Sequence, residues 1–388
     1  MRYSGLLLTL MVAVLLTGCA QGTLREAPAP LPPEEERPEL MRMDIDWWHI
    51  LVDFNTRVPF HRIAPTLTEQ GILTASPLGE LVLLSEEGRF IWRRQVTDHI
   101  TAPVGADARN LFVMTGDGDL LMLDWEGQQR WSTALTAIAT EAPLVLSDRI
   151  IVQTVDGRVT AIERNTGRAL WVFQDAEPSL TITGTAKPVR VDDLVVTGLA
   201  NGKLVALNIN DGATVWEYRI GRAQGKTDVS RLVDVDAAVT VVDGLILATG
   251  YQGDLMVIEA RSGRVLGAKA LSSHRSVTVG EQYWFVVNAD SHVLALDPNT
   301  LDEVWRQEQF TFRRLSEAVV WRDTLAVADG KGFVHLLDQE SGEWLVTRSV
   351  DWTGISTAPI VVGDYLIQQG NSSRIKRLSH RPYRFPIR

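Results

Sequence analysis

Cysteine is almost absent from this chain: its 388 residues contain one, at position 19. No disulfide can therefore form within a monomer, even in an oxidising compartment that would permit one. Histidine is also scarce. Its seven positions are far apart, and no two have the spacing of a zinc-binding pair: 49, 61, 99, 274, 292, 335 and 380.

The chain also lacks an excess of positive charge. Its 38 Lys and Arg residues are outnumbered by 48 Asp and Glu residues, for a net charge of −10. This balance argues against nucleic-acid binding and against broad attachment to anionic headgroups. Beyond the N-terminus no apolar run reaches the roughly 18 residues of a membrane-spanning helix.

The N-terminus is where the single cysteine lies. Residues 1–18 have a short positive start, an apolar run and small residues, which predicts a secretory signal peptide. The segment Leu16-Thr17-Gly18-Cys19 resembles a bacterial lipobox, and this resemblance implies that Cys19 becomes the lipidated first residue. The residue after it is Ala20 rather than Asp, which by the same resemblance favours the periplasmic face of the outer membrane. An ordinary signal peptide with an incidental cysteine is the alternative.

A Pro/Glu-rich stretch follows, "GTLREAPAPLPPEEERPEL". It has no apolar periodicity, so residues 19–44 are predicted to form a lipidated, disordered linker. Folded structure is expected over residues 45–380, and residues 381–388 read as a flexible basic tail.

A repeat of about 40 residues fills the folded part. Eight copies are recognisable, and their tryptophans at positions 92, 131, 171 and 216 are 39, 40 and 45 residues apart. Each copy alternates apolar and polar residues with period 2, separated by Asp-Gly or Asn-Gly turns. This pattern predicts an all-β, eight-bladed β-propeller with four antiparallel strands in each blade. The last copy lacks its fourth strand, and we expect "DWWHILVDF" from Asp46 to Phe54 to supply it.

The repeat, with its "V-x-A-L-D-x-x-x-G-x-x-x-W" stretch, resembles the repeat of pyrroloquinoline-quinone (PQQ) enzymes. The lipobox, spacer, eight repeats and closing strand together resemble the BamB family of outer-membrane lipoproteins over nearly the whole chain. The resemblance implies a non-catalytic scaffold of the β-barrel assembly (BAM) complex. Its implied partners are BamA (the barrel-inserting subunit), the other subunits and unfolded outer-membrane proteins.

Two insertions carry the residues that the family uses for docking. Leu180 and Ile182 in "SLTITG" match an apolar-x-apolar-Arg segment that contacts BamA, but Thr183 stands where the family has Arg. Asp234 and Asp236 in "VDVD" match an Asp-x-Asp pair. From the residues alone, the apolar pair equally fits a cap on the propeller core, and the acidic pair a solvated strand edge.

The alternative from another class is a quinoprotein-like or ligand-binding periplasmic propeller. A vicinal cysteine pair, which often lies against the quinone in such enzymes, is impossible here. The segment "GRAQGKT" (Gly221–Thr227) resembles a phosphate-binding loop but has three residues between its glycines where that loop has four. We therefore predict no catalytic residues, no cofactor and no metal.

Overall fold

The computed structural model describes residues 26–52, 61–175, 185–221, 235 and 237–382. Within these ranges it contains 32 strands and a single 3₁₀ turn, Glu34–Glu36. The strands form eight four-stranded antiparallel sheets, which confirms the predicted propeller. No helix in the described ranges is long and apolar enough to cross a membrane.

Seven of the blades are continuous in sequence, and their strands run in order from the axis to the rim. Blades one to four comprise β2 Thr66–Thr68, β3 Gly71–Ala75, β4 Glu80–Leu84 and β5 Phe90–Gln95; β6 Gly105–Ala106, β7 Asn110–Met114, β8 Asp119–Asp124 and β9 Gln129–Ala134; β10 Leu144–Val145, β11 Arg149–Gln153, β12 Arg158–Glu163 and β13 Ala169–Gln174; and β14 Val189–Val191, β15 Leu194–Gly198, β16 Lys203–Asn208 and β17 Thr214–Arg219.

Blades five to seven comprise β18 Thr240–Val242, β19 Leu245–Ala248, β20 Asp254–Glu259 and β21 Val265–Ala270; β22 Thr278–Val279, β23 Trp284–Val287, β24 Val293–Leu296 and β25 Glu303–Gln307; and β26 Val319–Trp321, β27 Thr324–Ala328, β28 Phe333–Asp338 and β29 Trp344–Ser349. Blade eight combines β30 Ile360–Val362, β31 Tyr365–Gln369 and β32 Arg374–Pro382 with the N-terminal strand β1 Met41–Ile50. In blades one to four, six and seven the second and third strands are mostly buried, and blades five and eight are more exposed only in their third strands, so the core lies between neighbouring sheets.

The Gly-x-x-x-Trp spacing has a direct structural cause. The Trp171 ring of blade three lies over Gly212 of blade four, where an added Cβ would be 2.6 Å from the ring. The Trp171 indole Nε1 also donates to the Ile209 carbonyl in the same turn, at 3.0 Å. The same stacking occurs between further blades, in the pairs Trp131–Gly167, Trp216–Gly263 and Trp305–Gly342. Each tryptophan therefore joins its own blade to the next one.

The ring closes by the same contact. Strand β1 pairs antiparallel with β32, and Trp47 lies over Gly88 of blade one. The Trp47 indole donates to the Glu86 carbonyl at 3.2 Å. The N-terminal strand thus supplies the tryptophan and the strand that the eighth repeat lacks, as predicted, although it runs over Met41–Ile50 rather than from Asp46 to Phe54. It pairs with the outer side of β32, which would otherwise be an open sheet edge at the seam.

One junction reverses the two residues of the contact. In blade five Gly267 occupies the position of the tryptophan, and in blade six Leu301 occupies the position of the glycine. The Leu301 Cδ1 lies 3.4 Å from where a Gly267 Cβ would be, and Leu301 takes a positive φ of 62°. A side chain from blade six thus fills part of the space that the tryptophan of blade five would occupy, which preserves packing at the junction.

The N-terminal strap, which we define as residues 26–40, differs from the expected disordered spacer. Ala29 makes two hydrogen bonds with the segment that connects blade six to blade seven: its N–H donates to the Thr311 carbonyl and its carbonyl accepts from Arg313 Nη1, both at 2.9 Å. The Arg37 guanidinium lies over the Phe333 ring at 5.4 Å. Prolines favour an extended backbone here, and these contacts hold it on the propeller. The folded part accordingly extends from the strap through β1 to Pro382, beyond the predicted limits of 45 and 380.

We predict that Gly212→Ala destabilises the protein more than Gly244→Ala. Both glycines have positive φ, 72° and 74°, but an added Cβ meets the Trp171 ring at Gly212 and nothing within 4 Å at Gly244. Backbone strain of about 1–2 kcal/mol is common to both variants, whereas overpacking adds roughly 1–3 kcal/mol only at Gly212. Urea unfolding monitored by tryptophan fluorescence measures the difference, and equal losses would contradict the stacking argument.

Candidate functional site

All five residues predicted to carry function lie outside the described residues: Cys19, Leu180, Ile182, Asp234 and Asp236, together with Thr183. The described chain stops at Asp175 before the first insertion and resumes at Thr185. At the second insertion it stops at Gly221 and continues with Val235 and Ala237. The structure therefore describes the flanks of both insertions but none of the predicted site residues.

Both insertions leave the propeller on one face. In an antiparallel blade, the turn between the second and third strands lies at the same end as the connection from the fourth strand to the next blade. In blade four, for example, the Gly202 carbonyl of that turn accepts hydrogen bonds from Ile220 N at 2.9 Å and Gly221 N at 3.0 Å, at the end of the fourth strand. We call this end of the propeller the upper face.

One turn of blade four, Leu199–Gly202, holds the ends of both insertions. Asn201 Nδ2 donates to the Asp175 carboxylate at 2.9 Å, at the start of the first insertion. The Gly202 carbonyl binds Gly221, where the second insertion starts, and the Leu199 carbonyl accepts from Val235 N at 3.4 Å. The two insertions therefore start from neighbouring points on the upper face.

An ion pair and close packing hold the ends of the two insertions in place. Lys203 Nζ lies 3.0 Å from Asp175 and 3.3 Å from Glu217. The hydrogen bond to the Asp175 carboxylate, followed by that to Glu217, raises the pKa of Lys203. Val235 is buried, and its carbonyl lies so close to Gly198 that a Cβ there would collide with it. The roots of the insertions are thus held by an ion pair and by close packing.

A cavity of about 570 Å³ lies on the propeller axis, where the innermost strands begin. Its lining carries charges of both signs: Arg62, Lys187 and Arg275, and Glu141 and Glu317. His274 also lines it, and burial, helped by the charges of Arg275 and Arg62, lowers the pKa of His274 to about 4. This lining offers polar contacts to a small ligand, but its mixed charge does not select one.

A cluster of buried charged and polar side chains joins blade seven to the connection that precedes it. Arg313 Nε donates to Asp329 Oδ2 at 2.7 Å, and His335 Nε2 lies 3.2 Å from the same oxygen. Burial opposes ionisation of Asp329, but the His335 hydrogen bond and the Arg313 charge keep the pKa of Asp329 low overall. Burial lowers the pKa of His335. Because Arg313 also binds the Ala29 carbonyl, this cluster holds the N-terminal strap.

Packing accounts for other histidines as well. His61 lies buried at the ring seam, 3.4 Å from Ser373 Oγ. His380 lies edge-on to Trp321, and His292 Nε2 lies 3.0 Å from Thr311 Oγ1. Among the described residues no group of three or more His, Cys, Asp and Glu side chains is arranged to hold a metal ion.

Sequence reasoning missed the turn that joins the two insertions. Asn201 and Lys203 lie in an unremarkable hairpin, "ANGK", and their contacts to Asp175 cross from one blade to the next. The Asn-Gly dipeptide predicted the hairpin turn but contained no signal for these contacts.

Known proteins resemble the chain in sequence and fold. The family model described as "Outer membrane protein assembly factor BamB" matches residues 78–307 and 289–381. A protein of that name from Marinobacter adhaerens is 31% identical over 381 residues, which cover 97% of each chain. The crystal structure of BamB from Moraxella catarrhalis superposes with a TM-score of 0.77 at 25% identity, over 87% of this chain and all of that one.

A quinohemoprotein alcohol dehydrogenase from Comamonas testosteroni also superposes, with a TM-score of 0.68. It is 12% identical and the match covers 89% of this chain and 78% of that one. At this identity the similarity concerns the fold alone.

We predict that stability falls between pH 6.5 and pH 4 partly through His61. Burial lowers the pKa of His61 to about 4, so below pH 6.5 the unfolded chain binds a proton that the folded chain does not. The stabilisation is complete above pH 6.5 and is lost as the pH falls to 4, by about 3 kcal/mol. Urea unfolding across this range should give a shallower pH dependence for His61→Gln. The exposed His99 provides the control, since His99→Gln should follow the wild-type profile; an unchanged His61→Gln profile would contradict the prediction.

Proposed function

The chain belongs to the BamB family of outer membrane protein assembly factors, and from this premise we propose that it is a non-catalytic scaffold that docks on BamA and assists the insertion of β-barrel proteins. The observation that carries the proposal is that both insertions start from one turn of blade four. Rigid scaffolds commonly carry their binding residues on such loops.

The starting points of the insertions support a single docking surface. The first insertion contributes Leu180 and Ile182, and the second contributes Asp234 and Asp236. Buried apolar contacts supply affinity, while a carboxylate pair selects a partner surface of positive charge. Thr183 has no charge, so it cannot form any ion pair that Arg forms at that position in the family. The acidic pair then carries the charge recognition.

Attachment to the membrane follows from the N-terminus. We propose that Cys19 carries acyl chains, which hold the propeller at the periplasmic face of the outer membrane. The strap is fixed at Ala29 to the connection that leads into blade seven, only ten residues after Cys19. An extended chain of that length spans at most about 35 Å, so this side of the propeller stays close to the membrane surface.

The non-catalytic role is supported by the structural contacts of the buried histidines and of Asp329. His335 and Asp329 are engaged with Arg313 below the strap, and His61 and His380 lie in the core. A quinoprotein-like function would instead require protein reconstituted with PQQ and Ca²⁺ to show cofactor absorbance and dye reduction. Such activity would overturn this part of the proposal.

We predict that Asp234→Lys/Asp236→Lys abolishes recovery of BamA when the protein is purified from cells. The substitutions reverse two charges that the partner would meet. Asp117→Lys/Asp119→Lys is the matched control, because it makes the same charge change at the turn between the second and third strands of blade two, also on the upper face. Equal recovery of BamA with the wild type and the Asp234→Lys/Asp236→Lys variant would refute docking through the acidic pair.

We predict that Cys19→Ser prevents lipid attachment and releases the protein from the membrane. Wild-type protein should incorporate labelled palmitate and fractionate with outer membranes, whereas the variant should do neither and should remain folded. An ordinary signal peptide with an incidental cysteine predicts an unlabelled wild type instead.

A further inference from the structure

The outer edge of each blade is formed by its outermost strand. Among the described residues, each of these rim strands pairs with a neighbouring strand on its inner side only, and the N-terminal strap adds one further bond, from Leu40 N to the Leu345 carbonyl of β29. Such an edge offers free backbone donors and acceptors to any other extended chain, and proteins usually protect it with charged side chains.

Seven of the eight rim strands carry such charges: "MRMDIDWWHI", "FIWRRQ", "QRWSTA", "TVWEYR", "VLGAKA", "EVWRQ" and "WLVTRS". Several of these charges also form ion pairs on the rim, as Arg93 does with Glu80 and Arg306 with Glu303. The exception is β13 of blade three, "ALWVFQ", which has no charged residue. Its Leu170 and Val172 are 39% and 56% exposed.

The fold does not require this lack of charge. Val172 follows the stacking tryptophan and lies opposite Thr160 of β12. The corresponding residues of blades one, four and six are Arg93, Glu217 and Arg306, by the same register. A charge is therefore tolerated at this position in three blades and absent from blade three.

Strand β13 also leads directly into the first insertion. It ends at Gln174, and the next residue, Asp175, is held by Asn201 and Lys203. A partner bound to Leu180 and Ile182 would therefore lie beside the end of β13. The uncharged edge adjoins the start of the first insertion at Asp175, whereas β17, which leads into the second insertion, carries Glu217 and Arg219.

We infer that β13 accepts an edge strand of BamA, which extends blade three by a fifth strand. This inference rests on the proposed docking of the chain on BamA and adds backbone pairing to it. Main-chain hydrogen bonds provide affinity in such strand addition, and Leu170 and Val172 select apolar side chains on the added strand.

The test compares two variants of the full mature chain. Leu170→Lys/Val172→Arg gives β13 the sequence pattern Lys-Trp-Arg. Val304→Lys gives the rim strand of blade six the same pattern, because Arg306 is already present there. Val304 is 45% exposed and Leu170 is 39% exposed, so the substituted side chains can reach solvent in both variants. Both variants should therefore fold and should unfold at the same temperature as the wild type.

Binding to the purified soluble domains of BamA provides the first measurement. We expect the Leu170→Lys/Val172→Arg variant to bind at least about tenfold more weakly than the wild type, and Val304→Lys to bind equally well. Wild-type affinity in the β13 variant, together with lost binding in Asp234→Lys/Asp236→Lys, would overturn strand addition and leave the proposed docking intact. No binding by the wild type would overturn both.

Hydrogen–deuterium exchange provides a second measurement that does not depend on a variant. On addition of the BamA domains, amides in 169–174 should exchange at least about tenfold more slowly, while those in 303–307 should not change. Unchanged exchange in 169–174 in the bound state would overturn the inference. Self-association of the free chain through β13 would also overturn it, because the occupant would then be a second copy.

Discussion

The contact between a tryptophan of one blade and a glycine of the next is the constraint on which the propeller depends. A glycine with positive φ lets the indole lie flat against the backbone, as Trp171 does at Gly212, and the indole Nε1 then reaches a turn carbonyl. The contact joins sheets that share no backbone pairing. It occurs at five of the eight junctions, where it helps a 40-residue repeat, which cannot bury its own apolar faces, to pack against its neighbour.

This contact between blades determines which parts of the fold can be predicted from the sequence. The strands, the turns and the closing strand follow from one repeat and from the strand that the last repeat lacks, and Trp47 fulfils the expectation at Gly88. At the junction of blades five and six, Leu301 fills part of the space left by the missing tryptophan at Gly267. Nothing in the spacing of either residue alone reveals that compensation, because the two lie in different blades.

The strap shows where sequence reasoning stops. Pro and Glu dominate it, and composition without periodicity predicts disorder. Its order comes from contacts with residues far along the chain: Arg313 is 284 positions from Ala29. The turn of blade four is a similar case, since Asn201 meets Asp175 only when adjacent blades pack. Contacts of this kind form only when segments from different parts of the chain pack together, so no local pattern contains them.

The ring also sets the distance between the proposed lipid attachment and the proposed partner-binding surface. The strap is fixed to the connection that leads into blade seven, and the insertions start around blade four and the uncharged β13 edge of blade three. In a closed ring of eight, blades three and seven are opposite, so lipid at Cys19 and a partner at β13 would be held on opposite sides of a rigid body. A short tether would then keep one side at the membrane while the other side reaches the partner. A flexible linker would impose no such orientation. The contacts of the strap with the propeller would therefore help to orient the propeller relative to the membrane.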